Sequence, residues 1–434
     1  MTTGQPGGGS VLVVGGGVVG TSTAYALAVA GHDVTLISAG PIGDGASAGN
    51  AGLLVPADSV VWPGPANRRA VPATVLGHGG SSIDVAWTNP RTVPWGLRFL
   101  AASTTRKYAA SSRATHELSV HSLKVAARWA LEGEESTDLE QTGMLFLVDS
   151  SGAAAEVIHT RAPLQEVGEK YLEISRAELI DLDPAYSAVP ADTRAVYAPH
   201  AKRGNSEAFA QTLASRLRAA GSTVIEKRPV TELLMREGRI WGAETGDGRI
   251  EADAVVLAAG VETRRLAKTV GIQAPILPVK GYAATVPIID ATRAPETGGV
   301  LESSHVAFSR MGDYLRLSTG AEIGRTDHVV TDGAKQQLQG AAESLFPGAL
   351  DWSRATFRAE HRPMTPHGLP LVGATKVSGL YLNSGHGSLG WTQAAGSADV
   401  LAHVMGGTRS PIDPDSYRPR TPRPAAEPIS LRPY

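Results

Sequence analysis

VLVVGGGVVGTSTAYALAVAGHDVTLI, residues 11–37, reads as strand, turn, helix and strand in succession. Val11 to Val14 is a continuous apolar, β-branched-rich run, the pattern of a parallel strand buried on both faces. Gly15, Gly16 and Gly17 follow, then an Ala-rich helix from Val18 to Ala30 with Gly31 as its C-terminal stop. Val34 to Ile37 is the second strand. Gly15, Gly17 and Gly20 form G-x-G-x-x-G inside this βαβ unit. The first glycine permits the tight turn, the second lets backbone approach a pyrophosphate, and the third lets helix and strand pack closely. The helix N-terminus, flanked by Val18 and Val19, then offers free N–H groups and partial positive charge to phosphate. A Gly-rich turn without a ligand is the bland alternative; placement between strand and helix is the context that favours the dinucleotide.

An acidic residue ordinarily ends the second strand and holds ribose hydroxyls. Here the position is Ser38, whose hydroxyl bonds without charge assistance. A ligand gripped elsewhere as well, such as FAD, suits this better than a freely exchanging nicotinamide. Val255 to Ala258 is a further apolar strand, ending in the small residues Ala259 and Gly260. Gly385, Gly387 and Gly390 repeat G-x-G-x-x-G between the short apolar run Leu380 to Asn383 and a helix reaching Met405. A helix N-terminus there can stabilise negative charge, although a tight structural turn has the same signature.

Between these pieces, 97–132 is helical in pattern, Met144 to Val148 is a strand, and Glu207 to Ala220 is an amphipathic helix. Three strands are expected at 223–227, 239–245 and 249–252, and segments 281–289 and 305–319 alternate like antiparallel strands. The expected fold is α/β: a discontinuous Rossmann-type nucleotide domain from 1–90, 155–275 and 360–434, with an inserted α+β substrate domain from 91–154 and 276–359 containing an antiparallel sheet.

Composition narrows the function classes. Net charge is −2, so neither nucleic acid nor an anionic membrane is a bulk partner. There is no Cys, which excludes disulfides, thiolate metal sites, a Cys nucleophile and a flavin bonded through cysteine. No metal ligand set is expected. The start MTTGQPGGGS reads as a disordered tail rather than a signal peptide, and no stretch reaches transmembrane length. A cytoplasmic protein is expected, with peripheral contact at the inner face of a membrane left open.

Beyond the first block, AGNAGLLVP at 48–56, PVKGY at 278–282, HRPMTPHGLPLVG at 361–373 and LYLNSGHGSLGWTQAAGSADVLA at 380–402 carry a resemblance. The chain resembles the D-amino acid dehydrogenase branch of the D-amino acid oxidase-like flavoproteins over nearly its whole length. The resemblance implies non-covalent FAD, with Asn50, Ala51 and Gly52 as the loop reaching the flavin. It implies backbone contact to adenine at Val230, and flavin-ring contact from Gly385, His386, Gly387, Leu389, Gly390 and Trp391. It assigns Arg362 to the substrate carboxylate, where a guanidinium gives two parallel N–H bonds and so orientation as well as charge. The implied reaction is oxidative deamination of a small D-amino acid by hydride transfer from Cα, giving a 2-oxo acid and ammonia, with O2, a quinone or another carrier as electron acceptor. The alternative within flavoenzymes is an oxidase or dehydrogenase of glycine, sarcosine, a cyclic imino acid or a biosynthetic amine.

Several residues carry two readings. Tyr282 either lines the pocket in a catalytic role or is an ordinary strand tyrosine; His386 either bonds the flavin or is structural. Lys202 and Arg203, where the branch is often acidic, either recognise an acidic substrate group or are solvated cations. Gly45-Ala46-Ser47-Ala48-Gly49 matches G-x-S-x-G, but a nucleophile elbow needs a strand directly before it, and Gly40-Pro41 stand there instead.

Overall fold

The computed structural model describes residues 8–68, 83–132 and 139–419. Residues 1–7 of the expected tail MTTGQPGGGS lie outside the described residues, as do residues 420–434, whereas Gly8 to Ser10 already belong to the first strand and Tyr417 is buried.

The strand Gly8–Val14 sits inside a six-stranded sheet, between Ala254–Leu257 and His32–Ile37, both parallel to it. Leu380–Ser384 continues the parallel order on one side and Thr223–Ile225 on the other; Leu371–Ala374 closes one edge antiparallel. The unbroken apolar run of the first strand is explained by cover on both faces. Val11 and Val13 face one core with helices Val18–Val29, Ser206–Ala219 and Gly390–Met405. Leu12 and Val14 face the other, closed by the three-stranded sheet Val230–Arg236, Arg239–Thr245 and Gly248–Glu251 and by helix Thr263–Thr269.

A second, nine-stranded sheet runs in the order Thr356–Met364, Leu277–Pro287, Tyr314–Ile323, Val306–Met311, Gly299–Leu301, Met144–Val148, Arg194–Ala198, Leu172–Ile174, with Ile83–Val85 parallel against Tyr314–Ile323. Its pairings are antiparallel except at Ile83–Val85 and between Gly299–Leu301 and Met144–Val148. One face, including Leu145, Tyr282, Phe308 and Leu317, packs on helix Asp332–Leu345. The opposite face looks toward the nucleotide-binding sheet.

Several elements differ from expectation. Leu172–Ile174 and Arg194–Ala198, placed in the nucleotide domain by the expected division, are hydrogen-bonded into the large sheet, as is Ile83–Val85. The segment 305–319 is two strands, because Gly312 turns the chain at φ +57°. A further strand, Val230–Arg236, pairs with Arg239–Thr245 through a two-residue turn in which Glu237 and Gly238 both have positive φ, while Thr223–Ile225 belongs to the six-stranded sheet. That is the geometry hairpins require, but Glu is a poor advertisement for it. The strand Thr356–Met364 is a sheet edge with Phe357 and Ala359 packed on one face and Arg358, Glu360 and Arg362 on the other, so its apolar alternation is short.

Helix Gly390–Met405 crosses helix Thr105–Leu131 at Gly396, whose N–H donates to Ser122 Oγ at 3.0 Å. A Cβ there would lie 2.7 Å from Ser122 Cβ. Gly396→Ala is therefore expected to destabilise the protein by about 1–3 kcal/mol through overpacking, seen as an earlier urea midpoint. An unchanged midpoint would mean the two helices separate freely.

Candidate active site

A cavity of about 790 Å³ lies along the C-terminal ends of the parallel strands, roofed by the large sheet. Its first wall is the glycine turn. Gly15 has φ +127° and sits so close to the next strand that a Cβ would be 2.4 Å from the Ala258 carbonyl oxygen. A Cβ on Gly20 would fall 1.8 Å from the Gly15 carbonyl oxygen, so helix and strand meet backbone to backbone. Gly15, Gly17, Val18 and Val19 line the cavity; Gly20 does not, and serves only this packing. Ser47 Oγ accepts the Val18 N–H at 2.9 Å and lines the cavity with it.

From this turn the cavity runs two ways. At one end are Ser38, Arg228, Pro229 and Val230. Along its length lie Ala259 and Gly260 on one side and Asn50 and Ala51 on the other. His386, Gly387, Leu389, Gly390 and Trp391 form a third wall, and Arg362 looks in from the large sheet. Gly52 and Gly385, expected at the cofactor, do not reach it. Both are at positive φ, +74° and +81°, and turn the chain where a side chain would strike Met311 and Thr365 respectively. Asn50 meets the cavity while its amide is spent on the loop, donating to Ser47 O and Ser206 Oγ at 2.6 Å each.

The residues fit FAD. The cavity lining includes glycine backbone at a helix N-terminus suited to a pyrophosphate, and it holds an orphaned polar atom. His386 is buried and its Nε2 has no hydrogen-bond partner among the described residues. Burial pulls the imidazole pKa down to about 3, so the ring is neutral at physiological pH.

On the large sheet, alternation decides which side chains face the cavity. Arg362, Glu360 and Gly281 share one face, with Glu360 directly across from Gly281. The Arg362 guanidinium lies over Gly281, where a Cβ would come 2.5 Å from Nη1. It donates to Gly320 O at 2.6 Å and Ser318 Oγ at 3.3 Å. Burial lowers its pKa to about 10, so it stays charged, and among the described residues no carboxylate pairs with it. Tyr282 is one residue from Gly281 and so faces away. Its ring belongs to the opposite core and its hydroxyl donates to Glu322, which corrects the pocket-lining reading.

Lys202 and Arg203 also lie off the cavity. Arg203 is consumed by Glu140 at 2.7 Å and Glu296 at 3.0 Å, and the pair forms a short ladder with Leu53–Leu54. This removes the expected acidic-group contact. Ser47 follows no strand, being in a 3-10 turn, Gly45–Ser47, so no nucleophile elbow exists there. Residues missed in the sequence are Ser47, Asp58, Gly281, Ser318, His328 and Glu360. Gly281 alone had a signal, a glycine within an alternating strand; the others are placed by contacts far apart in the chain.

A family profile, DAO, described as FAD dependent oxidoreductase, matches residues 10–404. The chain belongs to the DAO family. Its members are FAD-dependent, and this chain is an FAD-dependent oxidoreductase. It is 33% identical over 409 residues to D-amino acid dehydrogenase 2 of Mesorhizobium japonicum, covering 93% of this chain and 98% of that one. It is 34% identical over 415 residues to the D-amino acid dehydrogenase of Methylobacterium radiotolerans, covering 93% and 97%. The DAO fold is shared with glycine oxidase from Geobacillus kaustophilus, at TM-score 0.73 and 21% identity over 95% of this chain and 98% of that one. L-proline dehydrogenase from P. horikoshii superimposes at TM-score 0.70 with 17% identity, over 96% and 98%.

The neutral buried His386 makes a pH prediction. Its folded pKa of about 3 lies below the ordinary 6.5, so below pH 6.5 the unfolded chain takes up a proton that the folded chain refuses. The resulting loss is absent above that pH and grows toward pH 3. At pH 5 it amounts to about 2 kcal/mol, from about 1.4 kcal/mol per unit. Urea unfolding at pH 7.5 and 5 should show this loss in the natural protein and a smaller one in His386→Gln. Equal losses in both would sink it.

Proposed function

We propose that the enzyme oxidises the Cα–N bond of a D-amino acid, giving the 2-oxo acid and ammonia. The observation that carries this reading is Arg362, a charged guanidinium facing the cavity with no paired carboxylate among the described residues. Two relatives near one-third identity bear the name D-amino acid dehydrogenase, which supports the choice of substrate class.

Gly15, Gly17, Val18, Val19, Ser38, Val230, Asn50, Ala51, Ala259 and Gly260 would hold FAD, with His386 to Trp391 against its ring. When bound, FAD accepts the Cα hydrogen with two electrons, and water converts the imino acid to oxo acid and ammonia. The protein's part is orientation. Gly320 O and Ser318 Oγ fix the guanidinium plane, and the bare Cα of Gly281 leaves it room to lie flat. A bidentate carboxylate then has one orientation, which sets where Cα and its hydrogen point. The electron acceptor is O2, a quinone or another carrier, and the enzyme works in the cytoplasm, with peripheral membrane contact compatible with a chain in which no described helix is long and apolar enough to cross a bilayer.

Anaerobic addition of D-amino acids, L-amino acids, glycine, sarcosine and proline to the yellow protein tests the reading. Bleaching by D-amino acids is expected. Bleaching by glycine, sarcosine or proline alone would replace the substrate class. Arg362→Ala should lower kcat/KM by about 100-fold or more, the scale of a lost charged hydrogen-bonded contact, while retaining the flavin spectrum. Tyr282→Phe should change it by less than about threefold, because its hydroxyl bonds Glu322 and its ring packs in the core on the face away from the cavity. Matching losses in the two variants would contradict the assigned faces of the strand.

A further inference from the structure

The cavity-facing row of the large sheet does not stop at Arg362. Arg362 donates to Ser318 Oγ. Ser318 pairs directly with Ala307, Ala307 with Val300, and Val300 with Phe146. Directly paired residues point to the same face, and neighbouring strands are about 4.8 Å apart, so this row extends ~14 Å from Ser318 to Phe146. Ser318, Ala307 and Val300 all line the cavity, joined there by Leu53, Val55 and Met144. The wall is therefore apolar for most of its length.

It ends in charge. Arg161 lies over the Phe146 ring, 4.1 Å from its centroid, and is itself buried. Two of its nitrogens, Nε at 3.2 Å and Nη2 at 2.7 Å, donate to the same oxygen, Asp58 Oδ1. Asp58 Oδ2 accepts no hydrogen bond from any described residue, and Asp58 lines the cavity. The same Arg161 also faces Glu302 at 3.6 Å. One guanidinium thus serves two carboxylates, and the cluster keeps a residual negative charge when both are ionised.

We propose that Asp58, held by Arg161, is a specificity-determining residue that binds a cationic group at the end of the substrate's side chain. The substrate class is a D-amino acid with a terminal amine or guanidine. The row supplies its three requirements in order: a cation for the α-carboxylate, an apolar wall for methylenes, and a carboxylate with a free oxygen for the terminal charge. A short neutral side chain would leave Asp58 facing an unfilled cavity. A hydrocarbon side chain of full length would desolvate it without a partner, which is costly for a charged group. Arg161 orients the carboxylate through Oδ1 and leaves Oδ2 for the ligand; it is a positioning residue.

This rests on the D-amino acid reading above, and paired substrates separate the two. D-lysine and D-norleucine differ in the terminal ammonium, as do D-ornithine and D-norvaline. Flavin reduction by the holoenzyme is followed anaerobically by stopped flow, with the dissociation constant taken from the concentration dependence. The basic member of each pair is expected to reduce the flavin with at least tenfold higher kred/Kd, chiefly through Kd. Asp58→Asn should narrow that ratio at least tenfold, and Asp58→Glu should keep a preference for the basic member. If the neutral member equals or exceeds the basic one, the assignment of Asp58 is overturned and the D-amino acid reading stands. If no D-amino acid bleaches the flavin, that reading falls and this one with it. The comparison in the natural protein decides the matter even where a variant fails to fold.

Discussion

The close contact between Gly20 and the Gly15 carbonyl is the constraint from which the rest follows. With a Cβ position only 1.8 Å from that oxygen, the first helix can pack against the first strand only because residue 20 has no side chain. The contact aims the helix N-terminus at the space beyond the strand. The neighbouring strands Ala254–Leu257 and Leu380–Ser384 run parallel to the first and end on the same side. Their continuations, Ala259-Gly260 and His386-Gly387, line the same cavity. Ligands of open α/β sheets bind outside the carboxyl ends of the strands, and here three strand ends converge on one place.

The nucleotide half was legible because its signals are local. A buried parallel strand needs a continuous apolar run, its turn needs glycine, and its helix needs a stop; all three stand within residues 11–31. The large sheet was less legible. Its strands are drawn from 83–85 through 356–364, and their pairing depends on contacts hundreds of residues apart. Edge strand Thr356–Met364 escaped because polar residues stand where alternation would place apolar ones. Two of them, Glu360 and Arg362, line the cavity, and a cavity wall obeys ligand chemistry rather than core packing.

The same distinction governs the site residues. Glycines and the His386 to Trp391 segment were readable, since close backbone approach restricts residue type. Tyr282 was misread because one position along a strand reverses the face, and a register shift beside Lys280 blurs counting from the partner strand. Arg203 matches neither of its two readings, being buried with its charge answered by Glu140 and Glu296, which stand 63 and 93 residues away in the chain. Ser47 bonds the Val18 N–H from 29 residues downstream, where no spacing rule would seek it.

Charge satisfaction bears directly on what the cavity can hold. Several part-buried cations elsewhere are answered by acids, Arg203 by two and Lys280 by Asp327 at 2.6 Å, while buried Arg316 is answered by the Ala48 and Asn50 carbonyl oxygens. Burying a charge without a partner is expensive, and where such a group lines a cavity a ligand can supply the partner. On the cationic side, Arg362 faces the cavity with only a carbonyl and a hydroxyl as partners among the described residues. On the anionic side, Asp58 has one oxygen left open among the described residues and its cation is shared. The two groups lie toward opposite ends of one apolar wall, and local rules broken without internal compensation are the marks of a binding site. The fold leaves a positive and a negative charge incomplete in the same cavity, and one elongated zwitterion with a second cation completes both.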